Sequence, residues 1–280
     1  MRLRVVLAIL VALTALAGLG IWLGVQSLTG GLPIQLPIQQ CVVNAGGKAI
    51  LEPEQMANAA TIAAVGIRRG VPDHAVTVAL ATALQESKLQ NLQGGDRDSL
   101  GLFQQRPSQD WGTPEQIMDP HYASAQFYKA LLKIKGWEDM TVAQAAQAVQ
   151  KSADGSAYAR WEDRARVLAS ALTGEEAGAV NCTITDPPSQ RGGAAVSGLV
   201  DLVAADWGTG HTASTDGKVT LTPGNTRAGW QYAHWLVSYA AFQGIQRVRY
   251  GDQVWSSRAG SWTRVTSAPT TDQVIADVYP

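Results

Sequence analysis

The stretch that decides the fold prediction runs from A-L-Q-E-S-K at 83–88 to D-S-L-G-L-F-Q-Q-R-P at 98–107. The first segment closes an apolar pattern at helical spacing that opens at Val71-Pro72-Asp73, and proline with an acidic residue is typical of a first helical turn. Gly94-Gly95 then interrupts the pattern. The sequence therefore predicts a helix that ends near Asn91 and carries Glu86, followed by a loop or small hairpin over 94–112.

These pieces resemble a known enzyme family. The order and spacing of Q-E-S, S-x-G-L-F-Q-x-x-P and the later Asp119-Pro120 are similar to those of the lysozyme-like lytic transglycosylases, over about residues 52–173. The resemblance implies a mainly α, lysozyme-like domain with a small hairpin or loop at the substrate cleft. It also implies that Glu86 is the catalytic acid/base, and that Ser99 and Gln104 line the sugar cleft.

The residues themselves support the same chemistry. Cleavage of a glycosidic bond needs a carboxylic acid that stays protonated near neutral pH. The negative end of a helix and apolar neighbours such as Ala83 and Leu89 both disfavour carboxylate charge, so we expect the pKa of Glu86 to be raised. Gly101 allows a close backbone approach to substrate. The predicted substrate-binding residues are Ser99, Gly101, Gln104, Gln105, Trp111 and Tyr128.

Two loop aspartates leave the type of reaction open, and one missing segment separates this chain from the family pattern. Asp96 and Asp98 are candidates for the second carboxylate of a hydrolase, although aspartates in such loops are commonly turn formers. The family's downstream Tyr-Asn-Ala-Gly is absent, since the corresponding segment reads V-Q-K-S-A at 149–153. Tyr158 or Tyr128 is a candidate to replace that tyrosine, and core packing is the alternative role for each. We favour transglycosylation, with hydrolysis as the alternative.

The N-terminus predicts export. Arg2 and Arg4 precede an apolar run from Val5 to Val25, long enough for a transmembrane helix with its N-terminus in the cytoplasm. The alternative is a signal peptide cleaved near Ala15-Leu16-Ala17. We therefore expect a single-pass protein of the cell membrane with an extracytoplasmic C-terminal region, or a secreted protein. Residues 1–25 form the anchor or signal segment, and 26–50 are predicted to be a spacer.

The cysteines, the histidines and the charge limit the classes of protein to which this sequence can belong. Cys41 and Cys182 are the only cysteines and predict a disulfide in an exported protein, with two buried thiols as the alternative. No metal site and no cofactor is predicted, because the sequence has no C-x-x-C and its histidines are scattered. With 22 basic and 23 acidic residues, the chain lacks the basic excess of nucleic-acid-binding proteins.

The last third of the chain differs from the preceding helical region in its predicted secondary structure. A Pro/Gly/Ser-rich linker at 183–197 separates the lysozyme-like domain (51–175) from a small α+β module (198–280), for which we predict one helix over 228–242 and strands at 245–250, 253–256, 262–265 and 274–279. This module weakly resembles degenerate D-Ala-D-Ala carboxypeptidase-like wall modules of actinobacteria. It lacks their histidine pattern, so we expect it to be non-catalytic.

Together these expectations describe a membrane-anchored enzyme that cleaves peptidoglycan glycan strands, as a lytic transglycosylase or muramidase. The expected partners are those glycan strands, the membrane through the N-terminal helix, and envelope proteins through the C-terminal module. The alternative is a non-catalytic peptidoglycan-binding or envelope scaffold protein with a lysozyme-like fold.

Overall fold

A computed structural model describes residues 39–152, 154–186, 188–210, 212–266 and 271–280. The predicted membrane or signal segment, 1–25, and residues 26–38 of the predicted spacer lie outside these residues. Within the described ranges, no helix is both long enough and apolar enough to cross a membrane.

A three-stranded antiparallel sheet joins the two ends of the helical region. Strands β1 (Gln40–Asn44), β2 (Lys48–Leu51) and β3 (Val180–Thr183) lie in the order β2-β1-β3. Cys41 pairs with Cys182 in the β1–β3 register, and the two form a disulfide across 141 positions of sequence. The predicted disulfide is therefore present.

In the sequence of the described chain, six helices come after β2 and before β3. The second of them, α2 (Asp73–Glu86), is the central one, because every residue from Ala75 to Leu84 is buried. Helices α1 to α6 are Pro53–Arg68, Asp73–Glu86, Pro114–Ile117, Pro120–Leu131, Val142–Gln150 and Glu162–Leu172. A 3-10 segment, Gly155–Trp161, precedes α6.

A second antiparallel sheet follows, in the order β4-β5-β9-β6-β7-β8. Helix α8 (Thr226–Ser238) packs against it, with Trp235 of α8 and Trp255 of β7 (Gln253–Ser256) fully buried. Its strands β4 to β9 are Thr212–Thr215, Lys218–Leu221, Ile245–Gly251, Gln253–Ser256, Trp262–Arg264 and Thr271–Val278. The helices α7, α8 and α9 are Gly192–Trp207, Thr226–Ser238 and Ala240–Gln243.

The predicted fold class, a mainly α lysozyme-like domain with a small hairpin at its cleft, an N-terminal transmembrane helix and a small α+β module behind it, is wrong. The described part of the chain contains nine strands in two antiparallel sheets beside its nine helices. The physical reason is visible in the predicted spacer, where alternate residues of β1 are buried and Gly46-Gly47 turn a hairpin. A run that resembled a linker therefore carries a buried strand pair.

The C-terminal elements are joined to the helical region by buried polar contacts. His234 of α8 accepts a hydrogen bond from the Ala179 N–H at 2.9 Å, and its other ring nitrogen lies 2.7 Å from the Ala171 carbonyl oxygen. Burial lowers the pKa of His234 to about 4, so the ring is neutral and bridges two backbone groups. Residues 39–280 accordingly pack as one compact unit.

Candidate active site

Glu86 is the last residue of α2, and its carboxylate is held by a tyrosine from a distant segment. The Tyr158 hydroxyl donates a hydrogen bond of 2.5 Å to Glu86 Oε1. Tyr158 is 1% exposed, whereas Glu86 is half-buried. Burial, together with the hydrogen bond to Glu86, raises the pKa of Tyr158, so the phenol stays protonated and remains a donor.

The helix ends at Glu86 because the backbone reverses in the next three residues. The N–H groups of Ser87 and Leu89 both bond to the Ala83 carbonyl, at 3.0 and 3.1 Å. Lys88 and Leu89 adopt left-handed backbone angles, with φ of 58° and 62°. The predicted end near Asn91 was therefore several residues late, since neither lysine nor leucine favours this conformation.

Ser87 fastens the helix end to the motif loop. Its side chain is 3% exposed, and its hydroxyl lies 2.7 Å from the Leu102 carbonyl oxygen and 3.1 Å from that of Ala83. Leu102 is the centre of the S-x-G-L-F-Q stretch. The serine that follows Glu86 thus fixes the position of the loop relative to the carboxylate.

Gln85 and Lys88, which lie close to Glu86 in sequence, both contact Trp161. The Trp161 indole N–H donates to Gln85 Oε1 at 2.8 Å, and Lys88 Nζ lies 4.5 Å from the centre of the Trp161 ring. Burial lowers the pKa of Lys88, and the nearby charge of Arg160 lowers it further, while Glu86 acts in the opposite direction. Sequence reasoning did not identify Gln85, Lys88 or Trp161 as site residues, and no motif marks them.

The loop itself is a narrow hairpin-like turn. Leu100 and Gln105 form an isolated antiparallel bridge across it. Gly101 has φ of 73°, and a Cβ there would lie 2.7 Å from the Ile117 carbonyl oxygen. The glycine thus permits a close approach to the protein's own backbone, where we had expected a close approach to substrate.

The remaining polar residues of the loop differ in exposure. Ser99 is 6% and Gln105 2% exposed, and the Gln105 amide donates to the Ala123 carbonyl at 3.1 Å. Gln104 is more open, and its amide lies 3.2 Å from the Gly101 carbonyl oxygen. Of the predicted loop residues, Gln104 is therefore the one best placed to reach a sugar.

The two candidate second carboxylates have different environments. Asp98 binds Arg106 Nε at 2.8 Å, and the Ser108 backbone N–H and hydroxyl at 2.9 and 3.0 Å. These hydrogen bonds, that of Arg106 foremost, hold the pKa of Asp98 well below its usual range. Asp96 is almost fully exposed. Asp98 therefore stabilises the loop, as aspartates in turns commonly do.

Trp111 lines a surface groove of about 520 Å³ whose polar lining includes three glutamines and three lysines. Gln150, which also lines it, donates to the Phe103 carbonyl at 2.8 Å, so the groove adjoins the motif loop. Other polar residues that line the groove include Gln109, Gln126, Lys129 and Lys133. Glu86 is not among the residues that line this groove.

Tyr128 lies in the core instead of on a substrate surface. It is fully buried in α4, and its hydroxyl donates to the Ile62 carbonyl at 2.9 Å. Burial raises the pKa of Tyr128. Of the two tyrosines that the sequence offered as partners of Glu86, the structure brings Tyr158 to the carboxylate and leaves Tyr128 in packing. Contact of Tyr128 with substrate has no support in this conformation.

Comparisons with known proteins add no assignment. No protein-family model matches the chain, and no curated protein matches it either. In the described ranges, no group of three or more His, Cys, Asp and Glu side chains is arranged to hold a metal ion.

Proposed function

We propose that this protein cleaves the glycan strands of peptidoglycan, as a lytic transglycosylase or muramidase in which Glu86 is the catalytic acid/base. The observation that carries the proposal is the 2.5 Å hydrogen bond from the buried Tyr158 hydroxyl to Glu86 Oε1. A carboxylate at the end of a buried helix, oriented by a phenol from 72 positions further along the chain, has the pairing expected of a positioned acid/base group.

The pairing divides the work between the two carboxylate oxygens. Tyr158 occupies Oε1, which leaves Oε2 to carry the proton that the glycosidic oxygen receives. Once that proton is transferred, the phenol stabilises the negative charge left on Glu86. The same carboxylate then accepts a proton from the muramyl C6 hydroxyl, which attacks C1 and closes a 1,6-anhydro ring. In a muramidase, water takes the place of that hydroxyl.

The environment of the aspartates favours the transglycosylase. Ring closure onto the C6 hydroxyl needs one carboxyl group, whereas hydrolysis commonly uses two. Asp98 is committed to Arg106 and Ser108, and Asp96 extends into solvent. Neither has a contact that directs it at a substrate bound at Glu86.

The groove beside Trp111 suits a neighbouring sugar. An aromatic face with amide donors and acceptors is a common way to bind carbohydrate, because sugars offer both apolar faces and hydroxyl groups. The hydrogen bond from Gln150 to Phe103 links the groove to the loop that Ser87 fastens beside Glu86. We propose that a glycan strand runs from this groove to the carboxylate.

An extracytoplasmic location is part of the proposal. Its support is the predicted N-terminal anchor or signal segment together with the Cys41–Cys182 disulfide, since such bonds persist in oxidising compartments. The membrane and envelope proteins stay predicted partners.

The alternative function is glycan binding without cleavage, with the protein as a peptidoglycan-binding or envelope scaffold. The absence of the family's Tyr-Asn-Ala-Gly, in whose place the chain has V-Q-K-S-A at 149–153, favours it. Two assays on the full chain distinguish the alternatives: co-sedimentation with insoluble peptidoglycan, and release of soluble muropeptides from it. Sedimentation with release supports the enzyme, and sedimentation without release supports the scaffold.

A further inference from the structure

A second surface cleft, of about 830 Å³, lies between the β1–β2 hairpin and helix α6. Residues 45–50 form one wall, and the end of the 3-10 segment with α6 forms the other. A Cβ on Gly47 would lie 2.8 Å from Val167 Cγ2, so the hairpin tip sits directly on α6. The cleft is therefore built into the fold by a close contact between two regular elements.

The lining of this cleft is strongly basic for a chain whose net charge is -1. Its cationic members are Lys48, Arg160, Arg164 and Arg166, against the single acid Asp163. Arg166 is paired with Glu162, and Arg164 donates to the Ile50 carbonyl. Among the residues that the structure describes, Lys48 and Arg160 have no ion-pair partner, and both side chains are exposed. The cleft thus presents two cations without an ion-pair partner, one on each wall.

Arg160 also connects this cleft to Glu86. It follows Tyr158, which donates to Glu86, by two residues in the same 3-10 segment, and it precedes Trp161, which donates to Gln85. For the side groups of a polymer held at Glu86 to reach this cleft, the strand must pass the Arg160 wall. The anionic groups that a peptidoglycan strand offers there are the carboxylates of its peptide chains.

We propose that this cleft binds the peptide-chain carboxylates of the peptidoglycan strand, through Lys48 on the hairpin and Arg160 beside the catalytic segment. The inference rests on the proposed function, since it takes the same polymer as the substrate. It adds a recognition site outside the sugar groove and makes productive binding depend on the peptides. Multivalent contact along one strand strengthens binding even where each exposed ion pair is weak.

The test measures co-sedimentation of the full chain carrying Glu86→Gln, so that no polymer is lost to cleavage. This parent is compared with three variants, which add Lys48→Gln, Arg160→Gln or both substitutions. Each protein is tested on native peptidoglycan and on peptidoglycan whose carboxyl groups have been amidated. We expect the double variant to bind native polymer about tenfold more weakly, which corresponds to two modest ionic contacts. Amidation should weaken the parent similarly and leave the double variant unchanged. Lys135→Gln removes one exposed charge outside the cleft and should bind like the parent.

Several outcomes would overturn the inference. One is a double variant that binds native polymer as the parent does. Another is a double variant that binds more weakly than the parent by the same factor on amidated and on native polymer. Amidation leaves phosphate groups charged, so that result would assign the cleft to phosphate. Separate digestion by the chain with Glu86 intact distinguishes the two proposals: cleavage with unaltered binding by the cleft variants rejects the cleft alone. Absence of both cleavage and binding rejects both.

Discussion

The Tyr158 hydroxyl lies 2.5 Å from Glu86 Oε1, which joins the one buried residue of the 3-10 segment to the end of the central helix. The contact gives one carboxylate oxygen a fixed partner in a chain that lacks the expected tyrosine-asparagine motif. Its importance can be measured separately from that of the fold, because the chain contains a second buried tyrosine, Tyr128, with a different bonding partner.

Tyr158→Phe should therefore lower cleavage with little loss of stability. The ring still fills its buried site, while Glu86 loses a charge-assisted hydrogen bond, so we expect activity to fall about tenfold to a hundredfold. Initial rates of muropeptide release measure this. Tyr128→Phe is the matched control, and it should cost about 1 kcal/mol of unfolding free energy with near-normal rates. Equal rates for Tyr158→Phe and the unmodified chain would argue against a role for the phenol.

Ser87→Ala should loosen the motif loop. It leaves the buried Leu102 carbonyl without its hydroxyl donor, so we expect the free energy of unfolding to fall by about 1–3 kcal/mol, with slower cleavage. Urea unfolding followed by circular dichroism gives the first quantity. Thr82→Val removes an equally buried hydroxyl that bonds only within its own helix, to Val78, and should leave the rate of cleavage unaffected.

The element boundaries explain which parts of this architecture the sequence could predict. Strand β7 was predicted at its observed bounds, Gln253–Ser256, because alternation and flanking turn residues mark it. Helix α7, Gly192–Trp207, was missed because its first residues resemble a linker. Its later apolar residues, Leu199 and Val203, do recur at helical spacing and could have revealed it.

The candidate site could be predicted only where a local motif marks its residues. Glu86 and the loop were identified from local order in the sequence, and Tyr158 was one of two candidates. The contacts of Gln85 with Trp161 and of Asp98 with Arg106 depend on tertiary placement, which local patterns do not encode. The same holds for the basic cleft, whose two walls are separated by more than a hundred residues.

Reduction of the disulfide should destabilise the protein markedly. Cys41 and Cys182 close a loop spanning 141 positions, and loss of such a crosslink is expected to cost about 2–5 kcal/mol of unfolding free energy. Thermal unfolding with and without reductant measures the change. A Cys41→Ala, Cys182→Ala variant should unfold at the reduced protein's temperature and ignore the reductant. A reductant-insensitive native chain would contradict the expectation.

Stability should also fall as the pH rises through the titration of His121. The His121 Nε2 lies 2.9 Å from Oδ1 of the fully buried Asp206, and Nδ1 lies 3.1 Å from Asp119 Oδ1. The contact with Asp206 foremost raises the pKa of His121 in the folded state, against the opposing effect of burial. The stabilisation is therefore complete below the unfolded-state pKa of about 6.5 and is lost as the pH rises through the higher folded value.

Urea unfolding between about pH 5.5 and 8.5 measures this dependence. A His121→Asn variant removes the titrating group, and the difference in stability between it and the native chain should shrink as the pH rises. A difference that is constant across the range would show that the ion pair does not contribute in this way.

The most direct measurement is digestion of purified peptidoglycan by the full chain and by its Glu86→Gln variant, with mass spectrometry of the released muropeptides. Glutamine keeps the size of the side chain and a hydrogen-bond acceptor for Tyr158 but cannot donate the catalytic proton. We predict 1,6-anhydro-muramyl ends from the native chain and a loss of about a hundredfold or more in the variant. Equal yields of cleaved strands from the native chain and a folded Glu86→Gln variant would contradict the central claim.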